Sequence, residues 1–314
     1  MKKRAVLTIT LNPAIDQTLY IDNFRIGNVN RVQDHRNDAG GKGVNVAGYL
    51  ADYGMEVTAT GFLGAGNSLI FRQYFSGKGI HDKFFRLTGH TRTGIKVVDS
   101  LNQVTTDINF PGIEPAAEDL EDLIRLIDES AAQFSWVVMA GLVPSSISED
   151  IYATLTEKLK QQGVKIAMDA SGGAFQKGLL SAPDLIKPNM EELAAYYGKV
   201  LQNREEIISA GKKLLGTGVE TVVVSLGRKG ALFLEGESVL ETVPPEVTAV
   251  STVGAGDAMV SGMVAGKIAG RSLADCARLA TAFSVIAVTS VGAGIPSLER
   301  LVELEKQVQL NELS

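Results

Sequence analysis

Short apolar runs alternate with stretches of helical periodicity along this chain, and that alternation limits the fold more than any other feature. "RAVLTITL", "WVVMAGL", "VKIAMDA", "DLIKPN" and "ETVVVSLG" are apolar runs of strand length, as expected for strands buried on both faces. Between them, "AAEDLEDLIRLIDESAAQF" and "ISEDIYATLTEKLKQQG" repeat apolar residues at helical spacing. Repetition of buried strand and helix predicts an α/β fold with a mainly parallel central sheet covered by helices on both faces. In such a sheet ligands sit beyond the carboxyl ends of the strands.

Two segments depart from this rhythm. Residues 14–29 ("AIDQTLYIDNFRIGNV") and 91–110 ("TRTGIKVVDSLNQVTTDINF") are rich in Thr, Ile, Val and Asp and carry no helical pattern of their own. They predict a small antiparallel sheet projecting from the main body, with a hairpin turn at Ser100-Leu101-Asn102. Residues two apart in a strand share a face, so Arg92, Gly94 and Lys96 point the same way and present two cations. Those charges either face a concave surface or keep a solvated edge from aggregating. No repeat, low-complexity tract or flexible linker divides the chain. The expectation is one domain over residues 1–314 with a flap.

Composition narrows the partners. In 314 residues, 45% hydrophobic and 21% charged, there is enough apolar surface for a sizeable core and little room for disorder. A net charge of -6 argues against a nucleic-acid binder, although a local cluster of cations can still hold a small anion. The opening "MKKRAVLTITLNPAID" places basic residues before an apolar stretch, but it contains two threonines and breaks at Asn12-Pro13, so it reads as a first strand and not a signal peptide. No apolar run is long enough to span a membrane. The lone Cys276 cannot form an internal disulfide, and the cytoplasm is the expected location. His35, His81 and His90 have no metal-ligand spacing, and Trp136 reads as core.

Four motifs carry chemistry. In "STVGAGDAMVSG", Gly254, Ala255 and Gly256 end an extended run and open a helix, where successive N–H groups attract anions. Asp257, beside them, is either a helix-start aspartate favoured by the dipole or a base that takes a proton from a hydroxyl during phosphoryl transfer. In "DAGGKGVNVAGYLADYG", Gly40, Gly41 and Gly43 expose backbone, with Lys42 and Asn45 adding charge and an amide; neither a Walker A loop nor a dinucleotide fingerprint is present. In "LIKPNMEEL", Asn189 and Glu192 offer oxygens three residues apart, suited to a magnesium ion held with phosphates or simply to a helix start. In "VVVSLGRKGALFL", Ser225, Gly227 and Gly230 fit a β-hairpin and a phosphate contact equally well.

Taken together in this order, "GGKGVNVA", "KPNMEE", "SLGRKG" and "STVGAGDAMVSG" resemble the ribokinase-like (PfkB) carbohydrate kinases, in their phosphofructokinase branch, over essentially the whole chain. "TLNPAIDQT", "VNRV", "TRTGIKV" and "TTDINFPG" strengthen the likeness to that branch. The resemblance implies a three-layer α/β/α domain with a small β lid formed by about 14–29 and 91–110, often used for homodimer formation. It implies ATP-dependent phosphorylation of fructose 1-phosphate at the carbon-6 hydroxyl, with tagatose 6-phosphate and fructose 6-phosphate as alternative acceptors. A binding protein without turnover is the remote alternative. Position by position, Asp257 becomes the catalytic base and Gly254, Ala255 and Gly256 the anion hole. Asp16, Gly40, Gly41, Lys42, Asn45, Arg92, Lys96 and Asn109 become sugar-phosphate residues. Lys187, Asn189, Ser225, Gly227, Gly230 and Thr252 become nucleotide residues, and Asn189 with Glu192 the magnesium-linked pair, acting through water. The chain departs from the wider family's pattern at Ser251 and at Gly141-Leu142-Val143-Pro144.

Overall fold

The computed structural model describes residues 5–250 and 253–313. The chain opens with strands β1 (Ala5–Thr10), β2 (Ala14–Tyr20) and β3 (Asp34–Gly40), then helix α1 (Lys42–Asp52) and β4 (Glu56–Gly64). Helix α2 (Leu69–Lys78) leads to the short strands β5 (His81–Asp82) and β6 (Phe85–Leu87) and to the hairpin β7 (Thr93–Asp99) and β8 (Val104–Asn109). Next come α3 (Ala117–Ser130), β9 (Trp136–Ala140), α4 (Ile151–Gln161), β10 (Lys165–Asp169), α5 (Gly172–Gly178) and β11 (Leu185–Ile186). Helices α6 (Met190–Tyr197) and α7 (Arg204–Leu215) precede the strands β12 (Thr221–Ser225), β13 (Ala231–Glu235) and β14 (Ser238–Val243). The chain finishes with α8 (Ala255–Ile268), α9 (Leu273–Thr289), α10 (Leu298–Gln307) and β15 (Gln309–Glu312).

The predicted apolar runs become the centre of an eleven-stranded sheet whose main path is β15-β14-β13-β12-β11-β10-β9-β1-β4-β5, with β6 paired to β4. From β4 across to β12 neighbouring strands are parallel, and β13, β14 and β15 complete one edge antiparallel. Each face carries its own apolar layer. Val44, Phe71, Met259, Phe283 and Leu301 bring α1, α2, α8, α9 and α10 onto one face, while Leu123, Leu155, Phe175, Leu193 and Leu214 bring α3 to α7 onto the other. This is the three-layer α/β/α arrangement expected from the alternation. In α3 the buried pair Leu123 and Ile127 lies one turn apart, and truncating either side chain to alanine typically costs about 2–5 kcal/mol.

Helix α8 is buried along Asp257–Gly266, unusual for a helix bearing a carboxylate. Its close neighbour is α9. A Cβ at Gly262 would fall 2.5 Å from the Ala280 Cα, so only glycine lets the two helix backbones approach this closely. That packing fixes the start of α8 relative to the sheet.

A second, four-stranded sheet has the order β3-β2-β7-β8 and stands beyond the carboxyl end of β1. The hairpin turn between β7 and β8 falls where the sequence predicts it. Two details differ from the sequence reading. Residues 21–29 carry no strand, and the partner of β2 is instead the polar stretch "DHRNDAG", paired antiparallel from Ala14↔Gly40 to Tyr20↔Asp34. In addition, β2 and β7 pair parallel, so the small sheet is mixed. Asp99 ties its far end together, accepting from the backbone N–H groups of Asn23, Phe24 and Asn102 and from the Asn102 amide. Those bonds, the Asn102 amide foremost, hold its carboxyl down at about 2.

Candidate active site

The carboxyl ends of β1, β9 and β10 converge on the first turn of α8, as the parallel-sheet rule requires. Gly254 precedes that turn in a left-handed conformation (φ 79°) that a side chain would strain. Asp257 is the third residue of the helix, 6% exposed, with its Oδ2 accepting a 2.8 Å hydrogen bond from Asn45 Nδ2 on α1. Burial first, then the nearby charge of Asp169, push the Asp257 carboxyl from its ordinary 3.8 up to about 6, against the pull of Asn45, Lys42 and Lys187. A carboxylate with that pKa is ionised at neutral pH yet still basic enough to accept a proton.

Asp169 ends β10 and is 1% exposed. Its Oδ1 is shared by Lys42 Nζ at 3.1 Å and Lys187 Nζ at 3.5 Å, while its Oδ2 has no hydrogen-bond partner among the described residues. Burial works to raise its pKa, but the two lysines outweigh burial and hold the group ionised below the ordinary value. Burial likewise opposes the charge on Lys42, and Asp169, Asp257 and Glu192 outweigh it, so its pKa is raised. Lys187 Nζ lies against the α8 amides: a Cβ at Gly256 would fall 3.0 Å from it. Two cations, two carboxylates and a helix N-terminus therefore meet within one turn of α8.

Two cavities open on this cluster. One, of about 520 Å³, is lined by Asp16, Gly41, Lys42, Asn45, Arg92, Lys96 and Asn109, together with Gly254, Gly256 and Asp257. The other, of about 760 Å³, is lined by Ala255, Gly227 and Gly230 and by apolar residues from separate segments. Ser225 and Gly256 line both, so the cavities join beside Asp257. Lys187 and Asn189, expected on the nucleotide side, line the smaller cavity. Thr252 lies outside the described residues. Gly40 stands behind Asp16, because a Cβ there would come within 2.5 Å of the Asp16 Oδ2.

The small sheet supplies the far wall of the smaller cavity. Arg92 and Lys96 both line it, as their shared strand face predicts. Arg92 Nε donates to Asn12 Oδ1 at 3.1 Å, and Lys96 Nζ pairs with Asp107 at 3.2 Å. Burial raises the Asp16 pKa, with Lys96 and Arg92 opposing, and burial lowers that of Arg92 with Asp16 opposing. An anion entering this pocket would relieve Arg92 of part of that cost.

Asn189 and Glu192 serve first as a helix start. Asn189 Oδ1 accepts from the Glu192 N–H at 2.8 Å, and Glu192 Oε2 accepts from the Asn189 N–H at 2.9 Å, a reciprocal capping box. The other oxygen, Glu192 Oε1, remains 3.9 Å from Lys42 Nζ. Among the described residues no group of three or more His, Cys, Asp or Glu could hold a metal ion. This donor set fits an ion that keeps its waters and leans on ligand phosphates, as magnesium does, and not an all-protein cage.

Comparison with known proteins decides the family. The model of the pfkB family carbohydrate kinases matches residues 2–300. The chain belongs to this family of carbohydrate kinases. It is 42% identical over 309 residues to the 1-phosphofructokinase of Rhodobacter capsulatus, covering 98% of each chain. It is 38% identical over 307 residues to the 1-phosphofructokinase of Escherichia coli K12, again covering 98% of each. Phosphofructokinase-2 from Escherichia coli, in a crystal structure with substrates and products, superposes with a TM-score of 0.88 at 25% identity, covering 96% of this chain and 99% of that one.

Three groups in this kinase's site escape the sequence reading. Asp169 has a visible signal, an acidic residue closing the apolar run "VKIAMDA" at the end of a strand where ligands collect. Asn12 has only the weaker signal of a polar residue after β1. The larger cavity's apolar lining, including Pro244, Val247, Met259 and Val288, has none, because apolar residues from distant segments look like ordinary core until folding leaves a gap between them.

Proposed function

We propose that this kinase transfers the γ-phosphoryl group of ATP to the carbon-6 hydroxyl of fructose 1-phosphate, giving fructose 1,6-bisphosphate. The observation that carries the proposal is the buried Asp257, with its carboxyl pushed up to about 6, at the junction of two cavities and in the first turn of a helix whose N-terminal residues line them. The names of the relatives supply the acceptor.

The sugar phosphate occupies the smaller cavity under the small sheet, which acts as a lid, with its existing phosphate against Arg92 and Lys96. Asp16 and Asn109 accept and donate to its hydroxyls. The nucleotide occupies the larger cavity, its base among the apolar side chains and its phosphates reaching Ser225, Gly227 and Gly230. Asp257 takes the hydroxyl proton as the oxygen attacks phosphorus in line. The amides of Gly254, Ala255 and Gly256, with Lys187 beside them, stabilise the charge on the transferring group. Asp169 holds Lys42 and Lys187 in place. Glu192, through Oε1 and water, would hold magnesium, which supplies further charge neutralisation at the nucleotide phosphates.

Purified protein offered ATP and magnesium with fructose 1-phosphate, fructose 6-phosphate, tagatose 6-phosphate and fructose tests the proposal by coupled ADP release. The highest kcat/KM is expected for fructose 1-phosphate. Preference for either 6-phosphate replaces the acceptor, and no ADP release with any acceptor overturns the enzymatic function. Arg92→Ala is expected to raise KM for the sugar phosphate by roughly 10- to 100-fold, the usual worth of a charge-assisted contact, with KM for ATP little changed. Equal effects on both constants would remove Arg92 from the phosphate site.

The outer face of the lid supports a homodimer. Val104 and Ile108 on β8 share the face opposite Asn109, Phe110 directly follows the strand, and the three are 53%, 47% and 51% exposed. Covering them with a second copy would remove this apolar edge from water. Sedimentation of a monomer at micromolar concentration would exclude it.

A further inference from the structure

Behind the anion-binding turn lies a set of buried polar contacts that the proposed chemistry does not use. The segment 290–295, which follows α9, is gripped at Ala293 and Ile295 by side chains of α2 and α1. Tyr74 on α2 donates its hydroxyl to the Ala293 carbonyl at 3.2 Å. The Gly294 backbone lies near the Tyr49 hydroxyl on α1 and favours its charged form, against burial. The Ile295 N–H donates at 2.8 Å to Asp52 Oδ2, which also takes a 2.6 Å bond from Lys78 Nζ. Lys78 in turn lies over the Tyr74 ring, 5.4 Å from its centroid, which closes the set.

Tyr49 connects this grip to the site. It is fully buried, and a Cβ built on Gly254 would lie 3.4 Å from its hydroxyl oxygen. It also sits one helical turn after Asn45, the donor to Asp257, so α1 meets the start of α8 at two points on one face. Val291, Gly292 and Ala293 of the gripped segment line a small cavity together with Val253, Gly254 and Asn45. A hydroxyl is an unusual group to bury at such a place, since burial costs free energy unless hydrogen bonds offset it. Phenylalanine would fill the same space without that cost.

We propose that Tyr49 is a positioning residue for phosphoryl transfer: its buried hydroxyl, packed against Gly254 between α1 and the 290–295 segment, holds the Gly254 turn in place and so fixes the direction of the first α8 amides. The inference rests on the phosphoryl-transfer function above. Tyr49 touches neither reactant. It acts through Gly254, whose left-handed turn has no side chain of its own to define its place, and Asp52 with Tyr74 keep the far side of the segment from drifting.

The test is Tyr49→Phe in the full-length protein, with kcat and both KM values measured for ATP and the sugar phosphate. Wild-type turnover is established first, and its absence would count against the function and not against Tyr49. In the variant kcat is expected to fall roughly 10- to 100-fold, the scale of a displacement of about an ångström at the reacting centre. Both KM values and the unfolding midpoint are expected to stay near wild type. Asp52→Asn, which weakens the grip at Ile295 without touching Gly254, is expected to lower kcat in the same direction. Wild-type kcat in either variant would overturn the proposal, as would a loss of activity that tracks only the fraction of protein folded.

Discussion

Asp257→Asn is expected to abolish most turnover and to make the protein more stable. The loss in kcat should be roughly 10²- to 10⁴-fold, the range for a positioned general base, because asparagine keeps the shape and the contact with Asn45 but cannot accept the proton. The stability gain follows from the raised pKa. In the folded protein the Asp257 carboxyl titrates near 6, above its ordinary 3.8, so between those values the folded state binds more protons than the unfolded chain. Stability therefore falls as pH rises through this window, and the penalty is fully present at pH 7. The shift corresponds to about 3 kcal/mol as a ceiling. Asparagine removes the charge and with it the penalty, so the variant should unfold later than wild type at pH 7 and nearly together with it at pH 4. The same titration places the acid limb of kcat/KM for the wild type near pH 6, with activity lost below it. Denaturant melts at the two pH values and one pH–rate profile check all three outcomes. A variant that keeps substantial kcat, or that is less stable than wild type at pH 7, would count against Asp257 as a strained, buried base.

Asp169→Ala is expected to act in the opposite sense, losing activity and stability together. The change leaves Lys187, only 6% exposed, without the carboxylate that neutralises it, and breaking a buried pair in this way typically costs about 3–5 kcal/mol. Lys42, which shares the same oxygen, loses its anchor as well. The midpoint of denaturant unfolding should move down with the slope unchanged, the signature of lost stability without a change in exposed surface. Because the Asp169 pKa is depressed in the folded protein, its contribution is present above the ordinary carboxylate range and disappears as pH falls through the folded value. Asp169→Asn separates charge from packing. It removes a negative neighbour of Asp257, so the acid limb of kcat/KM should move to lower pH. A limb that stays in place would mean that burial alone raises the Asp257 pKa.

The contrast between these two aspartates shows how far a sequence can be read. Asp257 stands in a motif whose glycines at a helix start are legible from the sequence, and the role proposed for it follows from that position. Asp169 stands at the end of an apolar run that is legible as a strand, but nothing local says that two lysines, one 127 residues upstream and one just after the next strand, will meet on one of its oxygens. The same division holds for β3. "DHRNDAG" is poor in β-formers and has no apolar alternation, yet it is a strand because Ala14–Tyr20 presents an unpaired edge beside it. Residues 21–29 look no worse as a strand and are not one.

By itself the sequence determined the layered parallel sheet, because strands buried on both faces and helices with one apolar face leave period-specific patterns that local reading recovers. It also marked where bare backbone would open on the cavities, because glycine-rich turns leave no side chain in the way. Tertiary structure alone decided which charges share a desolvated pocket, which apolar side chains leave a gap large enough for a ligand, and which helix steadies the turn at Gly254. Those outcomes depend on distances between segments far apart in the chain, and electrostatic and packing energies are set by such distances, not by order along the backbone.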